Sequence, residues 1–78
     1  MYKVNVQLTS INDVKEFVNA ACRQMCDIDI ISGRYVIDAK SIMGIFSIDL
    51  SKPVTVSVNG TEEEFKAFCE AISGCITD

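Results

Sequence analysis

Residues 2–8 alternate, with Tyr2, Val4, Val6 and Leu8 on one face and Lys3, Asn5 and Gln7 on the other. A period of two with one polar side predicts a half-buried strand. The period then changes. Ile11, Val14, Phe17, Val18, Ala21, Cys22 and Met25 recur at steps of three and four, which predicts an amphipathic helix over 11–25 with one core stripe. Ser10 with Asp13 three residues later forms a capping pair at its start, and Asn12 is a competing cap. Residues 27–31, with Ile28 and Ile30 on one face, and residues 34–38 read as two strands of a hairpin turning at Ser32-Gly33. Pro53 opens a fourth strand, where its missing N–H is tolerated. Val54, Val56 and Val58 face one way there, Thr55 and Ser57 the other. Asn59-Gly60 turns the chain. Thr61 and Glu64 form a capping box, and Glu62, Glu63 and Glu64 lie on the positive end of a helix over 62–76. Phe65, Phe68, Cys69, Ile72, Cys75 and Ile76 give this helix its own stripe.

Between the third and fourth strands lies Asp38–Leu50, which is apolar, short and interrupted by Gly44. Glycine costs about 1 kcal/mol relative to alanine inside a helix. The stretch therefore reads as one short helix, starting near Lys40 or Ser41 and ending near Leu50. Ile45, Ile48 and Leu50 can point inward. Ile42, Met43 and Phe46 are then left partly outward, as neighbours on one apolar surface of the docking kind. Ser41 sits at the helix start, where backbone N–H groups lack partners and negative charge is tolerated.

The resulting order is βαββαβα. Strands with one apolar face need a cover, and the helices over 11–25 and 62–76 have the stripes to supply it. The expected fold is α+β: an open-faced β-sandwich, with a four-stranded antiparallel sheet covered on one face by helices, as a single domain over residues 1–78.

Composition narrows the function. The 78 residues are 49% hydrophobic with a net charge of −4, and the basic residues are scattered from Lys3 to Lys66, which argues against a nucleic-acid partner. No apolar run approaches the roughly 20 residues of a membrane span, and the N-terminus alternates like a strand and not like a signal peptide. The expectation is a soluble cytoplasmic protein. Cys22, Cys26, Cys69 and Cys75 miss the usual zinc spacing, and the chain has no histidine. Free, packed thiols are expected, with Cys26 partly exposed. Without histidine there is no Ser-His or Cys-His nucleophile pair. Asp27 and Asp29 share one side of a strand as a solvated polar face, and helix capping accounts for Glu62, Glu63 and Glu64. No glycine-rich phosphate loop is present. The reading contains no metal, no cofactor and no enzymatic activity.

One stretch carries a resemblance. Ala39-Lys40-Ser41-Ile42-Met43-Gly44 resembles the regulatory-serine helix of HPr, the histidine-containing phosphocarrier protein family of the bacterial sugar phosphotransferase system. The order of elements is similar over nearly the whole chain. The family carries its phosphoryl group on a histidine at the start of the first helix, in a Gly-x-His-x-Arg-Pro-Ala type motif. Counting back from Glu16-Phe17-Val18, Ser10 falls at the histidine, Asn12 at the arginine and Asp13 at the proline. The resemblance implies the fold, and a partner surface made from the helix of Ser41 together with the start of the first helix. It also implies that Ser41 is a site of regulatory phosphorylation; a plain helix cap is the alternative there.

The function read from all this is a non-catalytic regulatory module of HPr type. It binds a protein partner through Ser41, Ile42, Met43 and Phe46, with Ser10 as the second candidate position. Two alternatives stand beside it: a phosphotransfer component with an unusual acceptor, Ser10 or a cysteine, and a homo-oligomeric subunit whose apolar turn is self-complementary.

Overall fold

In the computed structural model, which describes residues 1–77, the alternating stretches become four strands: β1 (Tyr2–Val6), β2 (Asp27–Ser32), β3 (Tyr35–Asp38) and β4 (Val54–Asn59). The helical periods become α1 (Ile11–Arg23), α2 (Ile42–Phe46) and α3 (Glu62–Ala71), followed by a single 3-10 turn, Ser73–Cys75. The order is the expected βαββαβα. The strands form one sheet in the order β1-β4-β2-β3, every neighbouring pair antiparallel.

Register follows the alternation, because a slip of one residue would turn every apolar side chain to the wrong face. Val4, Val56, Ile30 and Ile37 stand side by side across the sheet, flanked by Val6–Val54 and by Val58–Ile28. Against this face pack α1 and α3, whose Phe17 and Phe68 meet edge-on with ring centroids 5.6 Å apart, both fully buried. The open face carries the row Lys3, Ser57, Asp29 and Asp38 and the row Asn5, Thr55, Ile31 and Val36. Among the described residues no helix is long and apolar enough to cross a membrane.

Five expectations change. The stripe of α1 does not reach Met25: Gln24 already has extended backbone, so the helix stops at Arg23 and Met25 turns to solvent. Cys22 is exposed, not packed. It lies five residues after Phe17, about 140° round the helix and off the core side. Ile11, in the first turn, is 65% exposed. The helix over 62–76 ends at Ala71, and the 3-10 turn redirects the chain along β1. There Gln7 N donates to Cys75 O (2.8 Å) and Thr77 N to Asn5 O (3.0 Å), with Val6 bridging to Ile76. The outer edge of β1 is thereby paired.

The helix begun at Ser41 is shorter than its apolar rhythm suggests, ending at Phe46; Ile48 and Leu50 lie beyond it, half-buried against the core. Its central glycine has a packing reason. A Cβ on Gly44 would sit 2.7 Å from Ile37 Cγ2 and 3.3 Å from Ser41 Oγ. The helix rests directly on β3 at this point. Gly44→Ala is therefore expected to lower the urea midpoint. Alanine is the better helix former by about 1 kcal/mol, yet overpacking against a stiff β-branched neighbour costs about 1–3 kcal/mol. An unchanged or raised midpoint would show that the helix lifts away from Ile37 freely.

Candidate functional site

Two helix starts carry a serine cap. At the first, Ser10 caps α1: its Oγ accepts from Asp13 N at 3.1 Å. Asp13 reaches back, and its Oδ2 accepts from Thr9 N (3.1 Å) and Thr9 Oγ1 (2.8 Å). These bonds from Thr9, with weaker ones from Ser10, hold the Asp13 carboxyl below the usual carboxylate range. Asp13 is thus an anion next to Ser10. Its charge and that of Glu16 add to the burial that pushes the Cys75 thiol up. Among the described residues no lysine or arginine forms an ion pair with either acid.

At the second start, Ser41 caps α2: its Oγ accepts from Gly44 N (3.3 Å), and its carbonyl accepts from Ile45 N (3.1 Å). Ile45 is fully buried, Ile42 is half-buried against the core, and Met43 and Phe46 are 79% and 45% exposed. Three of these positions follow the sequence reading. Ile42, expected to lie partly outward, is half-buried and packs against the core.

A cleft of about 440 Å³ lies between the start of α1 and the end of α2. Ser10, Ile11, Phe46 and Leu50 line it, and Gln7 Nε2 donates to Leu50 O (3.0 Å) across its floor. Ser10 and Phe46 are therefore brought together; Ser41 and Met43 are not in this lining, and Met43 precedes Phe46 on the helix surface by a three-residue step. Within this lining, Ile11 is a residue that periodicity assigned wrongly. It fits the helical stripe, but it directly follows the cap at Ser10, in the first turn of the helix. That position in the first turn was the available signal. Exposed Ile11, Phe46 and Met43 supply the apolar surface here, with Ser10 and Ser41 as its polar points. A larger cleft, about 790 Å³, lies between the β2–β3 hairpin and residues 47–53; Arg34, Tyr35, Ile37, Ile48 and Lys52 are among its walls.

None of the four cysteines is in a disulfide. Cys26 is half-buried against the start of α3, where burial and then the charge of Glu64 push its thiol up. The described residues hold no cluster of three His, Cys, Asp or Glu side chains suited to a metal.

Comparison with known proteins bears on this surface. A family profile described as "PTS HPr component phosphorylation site" matches residues 6–78. Among solved structures, HPr-C-His from Thermoanaerobacter tengcongensis is 28% identical, with a TM-score of 0.77 over 95% of this chain and 93% of that one. The phosphocarrier protein HPr from Bacillus anthracis str. Ames is also 28% identical, with a TM-score of 0.67 over 90% and 94%. A mycoplasma histidine-containing phosphocarrier protein, 17% identical with a TM-score of 0.75 over 99% and 100%, shares the fold. No curated protein matches the chain.

Proposed function

The chain belongs to the HPr family, and from that premise we propose that it serves the phosphotransferase system as a protein-binding module that carries no phosphoryl group itself. The observation that carries this reading is the absence of histidine from all 78 residues. A relay needs an acceptor that gives the phosphoryl group up again readily. A phosphorylated imidazole does so through its labile P–N bond, and a serine phosphoester does not. Ser10, at the corresponding place, has its hydroxyl oxygen engaged as a cap, and the carboxylate of Asp13 stands beside it. Phosphate there would face repulsion where a relay site needs a cation.

What the site retains is contact surface. Ile11, Met43 and Phe46 offer apolar area beside two exposed serines, suited to a protein partner with an apolar docking face. Phosphorylation of Ser41 would place negative charge beside Met43 and weaken the docking of an apolar or acidic partner. In this role the protein regulates by occupancy and performs no catalysis.

The test is incubation of the purified protein with enzyme I and isotopically labelled phosphoenolpyruvate. The expected result is no label that a downstream acceptor can take from the protein. Label on Ser10, or on any cysteine, that passes onward would overturn the proposal in favour of an unusual relay.

A further inference from the structure

The sheet treats its two edges differently. The outer edge of β1 is paired with residues 75–77 through the bonds from Gln7 and Thr77. Among the described residues β3, at the opposite edge, pairs only with β2, and its Tyr35 and Val36 are 69% and 66% exposed. Natural edge strands are blunted by shortness, charge, proline or a bulge; β3 is short and ends in Asp38, but its Tyr35-Val36-Ile37 stretch is uncharged and free of proline and bulge. The direction of its backbone groups is fixed by one bond: Ala39 N donates to Ile28 O at 2.9 Å. Bonded and non-bonded positions alternate along an antiparallel ladder. Ile37 and Tyr35 therefore also turn their N–H groups toward β2, and Val36 and Asp38 point theirs out of the sheet.

We propose that β3 pairs antiparallel with β3 of a second copy of this chain, about a two-fold axis at Val36, making one continuous sheet from two. A two-fold perpendicular to the sheet keeps inner faces with inner faces. Centred on Val36, it sets Val36 opposite its own symmetry mate as a hydrogen-bonded pair. Tyr35 then lies opposite Ile37 of the second copy, both of inner-face parity, and Arg34 opposite its Asp38. The last contact occurs twice and joins opposite charges. Arg34 is exposed and has no ion pair among the described residues. Asp38 uses Oδ1 to accept from Lys40 N (2.9 Å), which leaves Oδ2 open. Neighbouring registers fit worse: centring on Tyr35 opposes Arg34 to Val36, centring on Arg34 opposes two guanidinium groups, centring on Ile37 opposes Val36 to Asp38 and Arg34 to Lys40, and centring on Asp38 opposes two carboxylates. The charge pattern thus selects one register as well as one partner.

Sedimentation velocity of the full chain, from micromolar to millimolar concentration, tests this. A reversible monomer–dimer equilibrium is expected. Val36→Pro should abolish it and leave the circular dichroism spectrum unchanged, because the lost N–H belongs to no bond within the sheet. Arg34→Glu and Asp38→Arg, each alone, should weaken association by about tenfold or more, since two attractive pairs become repulsive. An equimolar mixture of the two variants should recover it, because in the mixed pair each position 34 again faces an opposite charge at position 38. A chain that stays monomeric throughout overturns the proposal. So does a dimer that Val36→Pro leaves intact, or a mixture that associates no better than its components.

Discussion

Truncation of Phe68 to alanine is expected to remove about 3–5 kcal/mol of stability. Phe68 has no exposed surface, and its ring meets Phe17 edge-on where α1 and α3 cover the sheet. Deletion of the ring leaves a cavity that neither helix can fill without leaving the strands beneath it. The aromatic pair itself contributes about 0.5–1.5 kcal/mol beyond its burial. Stabilities of about 0.05–0.15 kcal/mol per residue put the whole domain on the order of 4–12 kcal/mol, so the variant should lose a quarter or more of its stability. Urea titration followed by circular dichroism measures this directly. A loss below about 1.5 kcal/mol would mean that the helices collapse into the gap, and that the core depends less on this contact than its burial implies.

The second large effect is a contrast within five residues. Ile45→Ala should cost about 2–5 kcal/mol, because Ile45 is wholly buried beneath α2. Met43→Ala, two residues away and 79% exposed, should stay within about 0.5 kcal/mol of the parent. Phe46→Ala should fall between, nearer to Met43. If all three destabilise alike in urea, α2 is core on every side and the proposed contact surface loses its basis. If they separate as expected, Met43→Asp becomes a clean reagent: a folded protein with a charge in the middle of the docking surface.

The elements with purely local causes were legible in the sequence. The hairpin over 27–38, the strand after Pro53 and the caps at Ser10, Ser41 and Thr61 all reflect interactions within three or four residues, and periodicity or capping chemistry reports those directly. The misplaced features depend on distant groups. Ile48 and Leu50 continue the apolar rhythm of α2 because the core still needs them, although the helix has ended. Gly44 reads as a weak point until Ile37 is seen against it. Cys22 fits a stripe by spacing and leaves it by angle. Strand order is silent in the alternation, since any apolar face can neighbour any other. The candidate surface divides in the same way. Met43 and Phe46 were readable from the crowding of a short helix, whereas the meeting of Ser10 and Ile11 with Phe46 is made by the packing of α1 against α2.

The position of β4 has a kinetic consequence. It lies between β1 and β2, so the strands that come earlier in the chain have no sheet to join until β4 arrives; before that, only the β2–β3 hairpin can pair. A fragment ending before Pro53 would keep one marginal hairpin and two uncovered helices, which is too little to persist in water. Folding should therefore be all-or-none, with a rate set by the long loop closures that bring β4 to its two partners rather than by how fast the helices form.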